Sequence, residues 1–112
     1  MKKNLRLNEW ISVSNPLFEY KMYWPYKLEK FNPSCESIDV YCKLNGVRDS
    51  IGTFMTIDKI SEMMARFRKT NENGGLFVPM GSELIVERLS NDVVEKSIAS
   101  LLKDGIFDDY FC

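Results

Sequence analysis

The chain has 112 residues, which is enough for one hydrophobic core and too few for two. Hydrophobic residues make up 45% and charged residues 28% of the sequence, a balance that excludes intrinsic disorder. Lysine and arginine total 15 against 16 acidic residues, which argues against general nucleic-acid binding because that function needs a basic face. We therefore predict a single domain over residues 1–112 that binds no nucleic acid.

Histidine is absent from the sequence, and this removes the commonest general base and the commonest metal ligand. Catalytic triads built on histidine and the usual cysteine–histidine zinc sites are therefore excluded. The three cysteines, Cys35, Cys42 and Cys112, have no spacing typical of a disulfide framework, and no further soft ligands accompany them. We expect neither a metal ion nor a cofactor.

The expected location is the reducing cytoplasm. No apolar run reaches the length of a membrane-spanning helix. Lys2 and Lys3 are not followed by the apolar stretch that a secretory signal requires. Three cysteines without a pairing pattern agree with a cytoplasmic protein that contacts no membrane.

Residues 1–36 carry an irregular, aromatic-rich pattern that we interpret as strand pieces. Trp10 to Val13 is compatible with a strand, and Asn15-Pro16 is a turn signal. The segment Tyr23-Trp24-Pro25-Tyr26 has two interpretations, because tyrosine and tryptophan are common both at binding hot spots and in sheets. Trp24 and Tyr26 are therefore candidate partner-binding residues.

A β-hairpin is predicted to start near residue 37, where apolar and polar residues alternate. The apolar positions are Ile38, Val40, Cys42 and Leu44. Asn45-Gly46 is a strong signal for a two-residue type I′ turn, which would pair Leu44 with Val47. The same turn would pair Val40 with Ile51. Asp49 would then lie opposite a buried position, which requires either an exposed strand end or a bulge that shifts the register.

The next element is an amphipathic helix that Thr56 or Asp58 caps and that ends near Lys69. Its apolar stripe consists of Ile60, Met63, Met64 and Phe67. Arg66 and Arg68 join Lys69 in a basic last turn, where positive charge suits the helix dipole. This turn is either a solvated helix end or, in the alternative, a contact for phosphate or RNA.

Two further strands and a second helix complete the predicted order. Leu76 to Met80 is predicted as a short edge strand, since Pro79 cannot donate to a ladder, and Glu83 to Leu89 as a fuller strand. Ser90 caps a helix that Gly105 ends. The order is roughly β(β)-ββ-α-ββ-α. It predicts an α+β fold in which two helices cover one face of a mainly antiparallel sheet.

The chain closes with an acidic and aromatic segment, Ile106-Phe107-Asp108-Asp109-Tyr110-Phe111-Cys112. In one interpretation its carboxylates and rings bind a basic protein surface, with charge steering the encounter. In the other, Phe107 and Phe111 pack on the chain's own core and the acidic residues lie in solvent. The candidate partner-binding residues here are Asp104, Asp108, Asp109, Tyr110 and Phe111.

From residue 38 to residue 111 the sequence resembles small bacterial immunity proteins, the inhibitors of contact-dependent growth-inhibition and polymorphic toxins. The resemblance lies in element order and composition over about two-thirds of the chain. The segments that carry it are Leu44-Asn45-Gly46-Val47, Thr56-Ile57-Asp58, Gly75-Leu76-Phe77, Glu83 to Leu89 and Gly105 to Phe111. It implies a non-enzymatic protein that neutralises its cognate toxin by stoichiometric binding. Many such toxins are nucleases, whose basic surfaces an acidic patch would meet.

Two other functions stay open. The chain could be an adaptor or regulatory domain that binds a host protein, with a homodimer forming through the Pro79 edge strand or the aromatic segment. It could also be a small enzyme that uses carboxylates alone, although no pair is singled out by its spacing. The neighbouring gene discriminates between these functions, because an immunity gene lies directly downstream of its toxin gene.

Overall fold

The computed structural model describes residues 5–46 and 48–112, and of Arg48 the backbone alone. Its five-stranded sheet and two helices confirm the predicted α+β fold. The strands lie side by side in chain order, antiparallel except for the last pair, which is parallel. The elements are β1 (Ile11–Ser14), β2 (Leu17–Tyr23), β3 (Ser37–Leu44), β4 (Arg48–Thr56), α1 (Ile57–Thr70), β5 (Leu84–Val86) and α2 (Asn91–Lys103). Within the described ranges, neither helix has the length and apolarity to cross a membrane.

One face of the sheet is buried because β2, β3 and β4 alternate apolar and polar residues along the chain. Alternate side chains of a strand point to the same face, so every second residue enters the core. The strand residues buried on this face include Phe18, Tyr20, Met22, Ile38, Val40, Cys42 and Phe54. We call this side of the sheet the core face and the opposite side the outer face.

The register of the β3–β4 hairpin differs from the predicted one by one residue. Leu44 pairs with Arg48, whereas its predicted partner Val47 lies outside the described residues. Val40 likewise pairs with Gly52, one position beyond its predicted partner. The prediction of a two-residue turn was therefore wrong, and the alternative of a shifted register describes the hairpin.

The shifted register removes the mismatch that Asp49 created in the predicted hairpin. Asp49 pairs with Lys43 and is exposed, while the small residue Ser50 takes the buried position opposite Cys42. Ile51, which was predicted to share the buried face with Val40, lies on the outer face and is 42% exposed. The chain thus keeps a carboxylate out of the core by adding one residue to the connection.

The predicted strand from Leu76 to Met80 does not form. The chain there is irregular and exposed, and only Leu84–Val86 of the later segment pairs with β4. Two causes are visible in the backbone. Pro79 has no N–H for a ladder. After Val86, the N–H of Leu89 donates to the carbonyl of Pro33 at 2.7 Å, which draws the chain away from β4.

The helices begin at the predicted caps but contribute unequally to the core. The hydroxyl of Thr56 accepts hydrogen bonds from the N–H groups of Lys59 and Glu36, and Ser90 caps α2 in the same way. The side chains of α2 that cover the core face are Val94, Ile98 and Leu101. The buried residue of α1, Phe67, lies outside this core. Helical cover for the described core therefore comes from α2, not from both helices as predicted.

A polar network ties the N-terminal segment and β2 to α2. The Asn91 side chain accepts a hydrogen bond from the backbone N–H of Arg6 at 2.8 Å and donates to the Tyr20 hydroxyl at 3.1 Å. The Tyr20 hydroxyl in turn donates to the Glu95 carboxylate at 2.8 Å. The hydroxyl is thus satisfied although Tyr20 is fully buried, as a polar group in a core must be.

Residues after α2 complete the core by packing on β4. Phe107 and Phe111 are both buried, and their rings stack with centroids 4.6 Å apart. The Phe111 ring lies directly over Gly52, so that a Cβ atom at this glycine would stand 2.8 Å from the ring carbon Cζ. The absence of a side chain at Gly52 is therefore what lets the ring reach the sheet.

Replacing Gly52 by alanine should destabilise the protein by about 1–3 kcal/mol, because the added methyl group overlaps the Phe111 ring. The double variant G52A/F111L should lose less stability than the sum of the single losses, since the smaller leucine makes room for the methyl group. Urea unfolding measures both effects. Gly81→Ala, whose Cβ would meet only the Glu83 carboxylate at 3.7 Å, is the control and should stay within about 0.5 kcal/mol of wild type. Strictly additive losses would contradict the overlap.

Stability should fall at alkaline pH because two core groups resist ionisation. Burial raises the pKa of the Cys42 thiol from 9.0 to about 12, and burial followed by the Glu95 hydrogen bond raises the pKa of Tyr20. Their contribution is complete below the unfolded pKa and is lost as the pH rises toward the folded one. The slope should approach about 1.4 kcal/mol per pH unit for Cys42 between pH 9.0 and about 12, and Tyr20 should add a similar slope above pH 10.0.

Urea unfolding at a series of alkaline pH values measures this slope. Cys42→Ala should make the decline shallower, because the variant lacks one of the two groups. Cys112→Ser is the matched control, because the Cys112 thiol is exposed and should not affect the slope. Equal slopes in the wild type and in both variants would show that the Cys42 thiol does not set the decline.

Candidate protein-binding surfaces

The acidic C-terminal segment is anchored through its aromatic residues. Phe107 begins a 3₁₀ turn that ends at Asp109, and Phe111 follows two residues later. Phe111 is 1% exposed, and its ring lies edge-on to Phe54 with centroids 6.4 Å apart. The Phe111 ring is therefore part of the core. Of the two interpretations of this segment, packing on the chain's own core describes both phenylalanines.

The same segment also joins the sheet through its backbone. The N–H of Ile51 donates to the carbonyl of Cys112 at 3.0 Å, and the N–H of Cys112 donates to the carbonyl of Ile51 at 3.2 Å. β5 pairs with β4 only at residues 54–56, so Cys112 occupies a part of the β4 edge that β5 leaves free. The acidic turn is thus held by ring packing and by backbone hydrogen bonds.

Three predicted carboxylates lie in solvent on this anchored segment. Asp104 is the C-cap of α2, where its N–H donates to the carbonyl of Ser100, and its side chain is exposed. Asp108 and Asp109 are exposed in the 3₁₀ turn, followed by the partly buried Tyr110. Within the part of the chain that the structure describes, none of the three carboxylates forms an ion pair. Their charge is available to a partner.

The predicted residues Trp24 and Tyr26 differ in accessibility. Trp24 is buried, its ring lies edge-on to Phe31 at 4.9 Å between centroids, and its Nε1 donates to the carbonyl of Lys27 at 3.1 Å. Tyr26 is 67% exposed and packs edge-on against Trp24. Trp24 is therefore a core residue, whereas Tyr26 presents a ring to solvent.

The predicted residues form two groups. Phe111 packs against β4, at Gly52 and Phe54, whereas Trp24 packs edge-on against both Tyr26 and Phe31 beyond the end of β2. Among the described residues, no hydrogen bond or ring contact links the first group to the second. The structure thus presents two separate regions where the sequence suggested one binding set.

The outer face of the sheet carries aromatic and basic residues of which the sequence analysis singled out only Tyr23, as part of Tyr23-Trp24-Pro25-Tyr26. The Lys43 ammonium lies 4.4 Å from the centre of the Trp10 ring, and the Lys21 ammonium lies 5.1 Å from it. Lys21 also lies 5.2 Å from the Tyr41 ring, which is edge-on to Tyr23. Polar–apolar alternation assigns Lys21, Tyr41 and Lys43 to this face, but only the strand register shows that they are neighbours.

The described residues give less support to a metal site or to a phosphate site at the basic end of α1. In the described ranges, no group of three or more histidine, cysteine, aspartate or glutamate side chains is placed to hold a metal ion. The basic end of α1 is partly neutralised, since Arg66 lies 3.5 Å from Glu62. A hydrogen bond from Lys59, more than the charge of Arg66, lowers the pKa of Glu62.

The anchored acidic segment therefore presents charge beside the partly buried Tyr110, and the outer face presents charge together with aromatic area. Both are built from side chains that the fold holds in place, and both end at Ile51, which pairs with Cys112 and faces outward. Compared with protein-family models, with curated proteins and with solved structures, the chain shows no significant match.

Proposed function

We propose that this chain is a non-enzymatic immunity protein that binds a cognate bacterial toxin one-to-one in the cytoplasm and neutralises it. The observation that carries the proposal is the display of Asp104, Asp108 and Asp109, which are exposed and form no ion pair within the described residues. The resemblance in element order and composition to small immunity proteins agrees with it.

The physical reason is that a held carboxylate binds better than a mobile one. Asp108 and Asp109 lie between two buried rings, Phe107 and Phe111, so the backbone that carries them is already ordered. Binding then loses less conformational entropy than it would with a free tail. Negative charge in this arrangement attracts a basic surface and accelerates the encounter. A toxin that binds nucleic acid has such a surface, which the inhibitor would cover.

An adaptor or regulatory domain is the second candidate function, and a different observation favours it. Leu76, Phe77 and Met80, in the irregular segment between α1 and β5, are 79%, 52% and 41% exposed. Exposed apolar side chains in such a run are typical of surfaces that contact another protein, including a second copy of the same chain. A homodimer through this segment would use side-chain packing rather than the edge strand that we predicted at Pro79.

Co-expression tests the proposed function directly. The gene immediately upstream encodes the protein to be tested. The C-terminal domain of that protein is expressed in a laboratory strain, once with this chain and once without it. We expect growth arrest without the chain, growth with it, and a one-to-one complex by light scattering. The immunity function is overturned if the upstream domain does not arrest growth, or if it arrests growth equally with and without the chain. Two copies of the chain in one particle, with no upstream domain, would favour the homodimeric adaptor.

The double substitution Asp108→Asn with Asp109→Asn should raise the dissociation constant for the toxin by about tenfold and reduce its salt dependence. The loss should appear mainly in the association rate, because both carboxylates are exposed and act through long-range attraction. Stopped-flow mixing at several salt concentrations measures both quantities.

The control for this variant removes the same charge elsewhere. Asp58→Asn with Glu72→Gln changes two exposed acids at the ends of α1 and should leave the association rate close to that of wild type. The tail variant should unfold within about 0.5 kcal/mol of wild type, since exposed substitutions rarely change stability more. The control should unfold within about 1 kcal/mol, because Asp58 lies in the first turn of α1 and Glu72 accepts a hydrogen bond from Thr70. If the tail variant binds with unchanged affinity and salt dependence, the acidic turn lies outside the interface.

A further inference from the structure

The outer face brings together aromatic and aliphatic residues from successive strands. The register places Lys21 beside Tyr41 and Tyr41 beside Ile51 in one row across β2, β3 and β4. Tyr23 lies next to this row, its ring edge-on to Tyr41 with centroids 5.9 Å apart. Trp10, which precedes β1, joins them through its contact with Lys21. We call Trp10, Tyr23, Tyr41 and Ile51 the outer cluster.

The outer cluster contributes nothing to the main core. Its members are absent from the set of described residues that pack together on the core face. Tyr23 is 40% exposed and Ile51 is 42% exposed, so two of its four members lie open to solvent. Tryptophan and tyrosine are enriched at the centres of protein–protein interfaces relative to the rest of protein surfaces.

The described side chains around the outer cluster carry one more negative than positive charge. Glu19 pairs with Lys43, Lys43 pairs with Asp49, and Asp39 pairs with Tyr23, so three carboxylates share the outer face with two lysines. Lys43 lies 3.9 Å from Asp49. Both lysine ammonium groups also lie over rings of the cluster, where part of their charge is engaged.

The acidic turn adds to this negative rim. Cys112 pairs with Ile51, a member of the outer cluster, and Asp109 precedes Cys112 by three residues. Its Cα atom therefore lies within about 11 Å of that of Cys112, the reach of three peptide units. The two surfaces described above thus meet at Ile51, where Cys112 joins the acidic segment to the strand that carries this member of the outer cluster.

We infer that the outer face is the centre of an interface with a basic protein domain, in which the outer cluster makes the apolar contact and the carboxylates form the rim. Charge selects this occupant: a second copy of the chain would bring one acidic rim against another, and a nucleic acid would bring phosphates to it. The inference rests on the proposed function only for the identity of the partner, which would then be the toxin.

Substitutions in the outer cluster test the inference. The assay measures binding of each variant to the C-terminal domain of the protein that the upstream gene encodes. Tyr23→Ala and Ile51→Ala should each weaken binding by at least about tenfold, mainly through faster dissociation. The matched control is Leu28→Ala, which removes an exposed apolar side chain outside both the outer cluster and the predicted partner-binding residues and should change the affinity less than about twofold. Urea unfolding confirms that each variant is folded. Wild-type affinity in both cluster variants overturns the inference and leaves the proposed function standing.

Photo-crosslinking keeps the inference testable if the upstream domain does not bind at all, the outcome that removes the proposed function. Benzoylphenylalanine replaces Tyr23 or Tyr26 in the native cell, and the adducts are identified. The inference is supported if position 23 alone crosslinks to a basic protein whose purified form binds the chain and loses that affinity in Tyr23→Ala. An adduct of two copies of the chain, adducts at position 26 alone, or no adduct at position 23 overturns it.

Discussion

The contact between the Phe111 ring and Gly52 is the constraint on which the arrangement of both surfaces depends. A glycine in the middle of β4 leaves a gap on the core face, and the ring fills it while stacking on Phe107. With the ring in that gap, the next residue, Cys112, reaches the β4 edge and pairs with Ile51. The acidic turn is consequently part of the folded sheet rather than a loose extension. The burial of two rings sets the position of the carboxylates between them, so a packing interaction determines where the charge lies.

The sequence predicted the parts of the fold that depend on local periodicity. The apolar spacing of α2 and its Ser90 cap are both properties of neighbouring residues, and the structure confirms them. The register of the β3–β4 hairpin was wrong by one residue, because the Asn45-Gly46 signal specifies a turn and not which residue resumes pairing. The strand predicted at residues 76–80 failed for a related reason. Its apolar composition suits a strand, but the edge of β4 is taken by Leu84–Val86 and by Cys112. Competition for one edge is not visible in a single segment.

The sequence predicted the candidate surfaces only in part, as it did the fold. The exposure of Asp108 and Asp109 follows from their charge and could be predicted from the segment alone. The inward orientation of Phe111 could not, because it depends on Gly52, which is far away in the sequence. The outer cluster was missed as a set, although Tyr23 lies in the segment Tyr23-Trp24-Pro25-Tyr26 that the sequence singled out. Its members come from four segments: Tyr23 and Tyr41 are ordinary outer-face positions of their strands, Ile51 was expected on the buried face, and Trp10 precedes β1. Only the register makes Tyr41 a neighbour of both Lys21 and Ile51, and the register was the feature that the turn signal misjudged.

The lysines of the outer face explain how an exposed aromatic cluster can persist without a partner. The Lys43 and Lys21 ammonium groups lie over the Trp10 ring, so their aliphatic stems shield apolar area that would otherwise face water. Such contacts at exposed sites are worth only about 0.5–1 kcal/mol each, so an incoming apolar side chain could displace them at little loss. The carboxylates beside them make two copies of the chain repel each other at the rim. One face of the sheet, closed by α2, Phe107 and Phe111, carries the stability. The other face is therefore free to combine aromatic area and charge that a core could not accept.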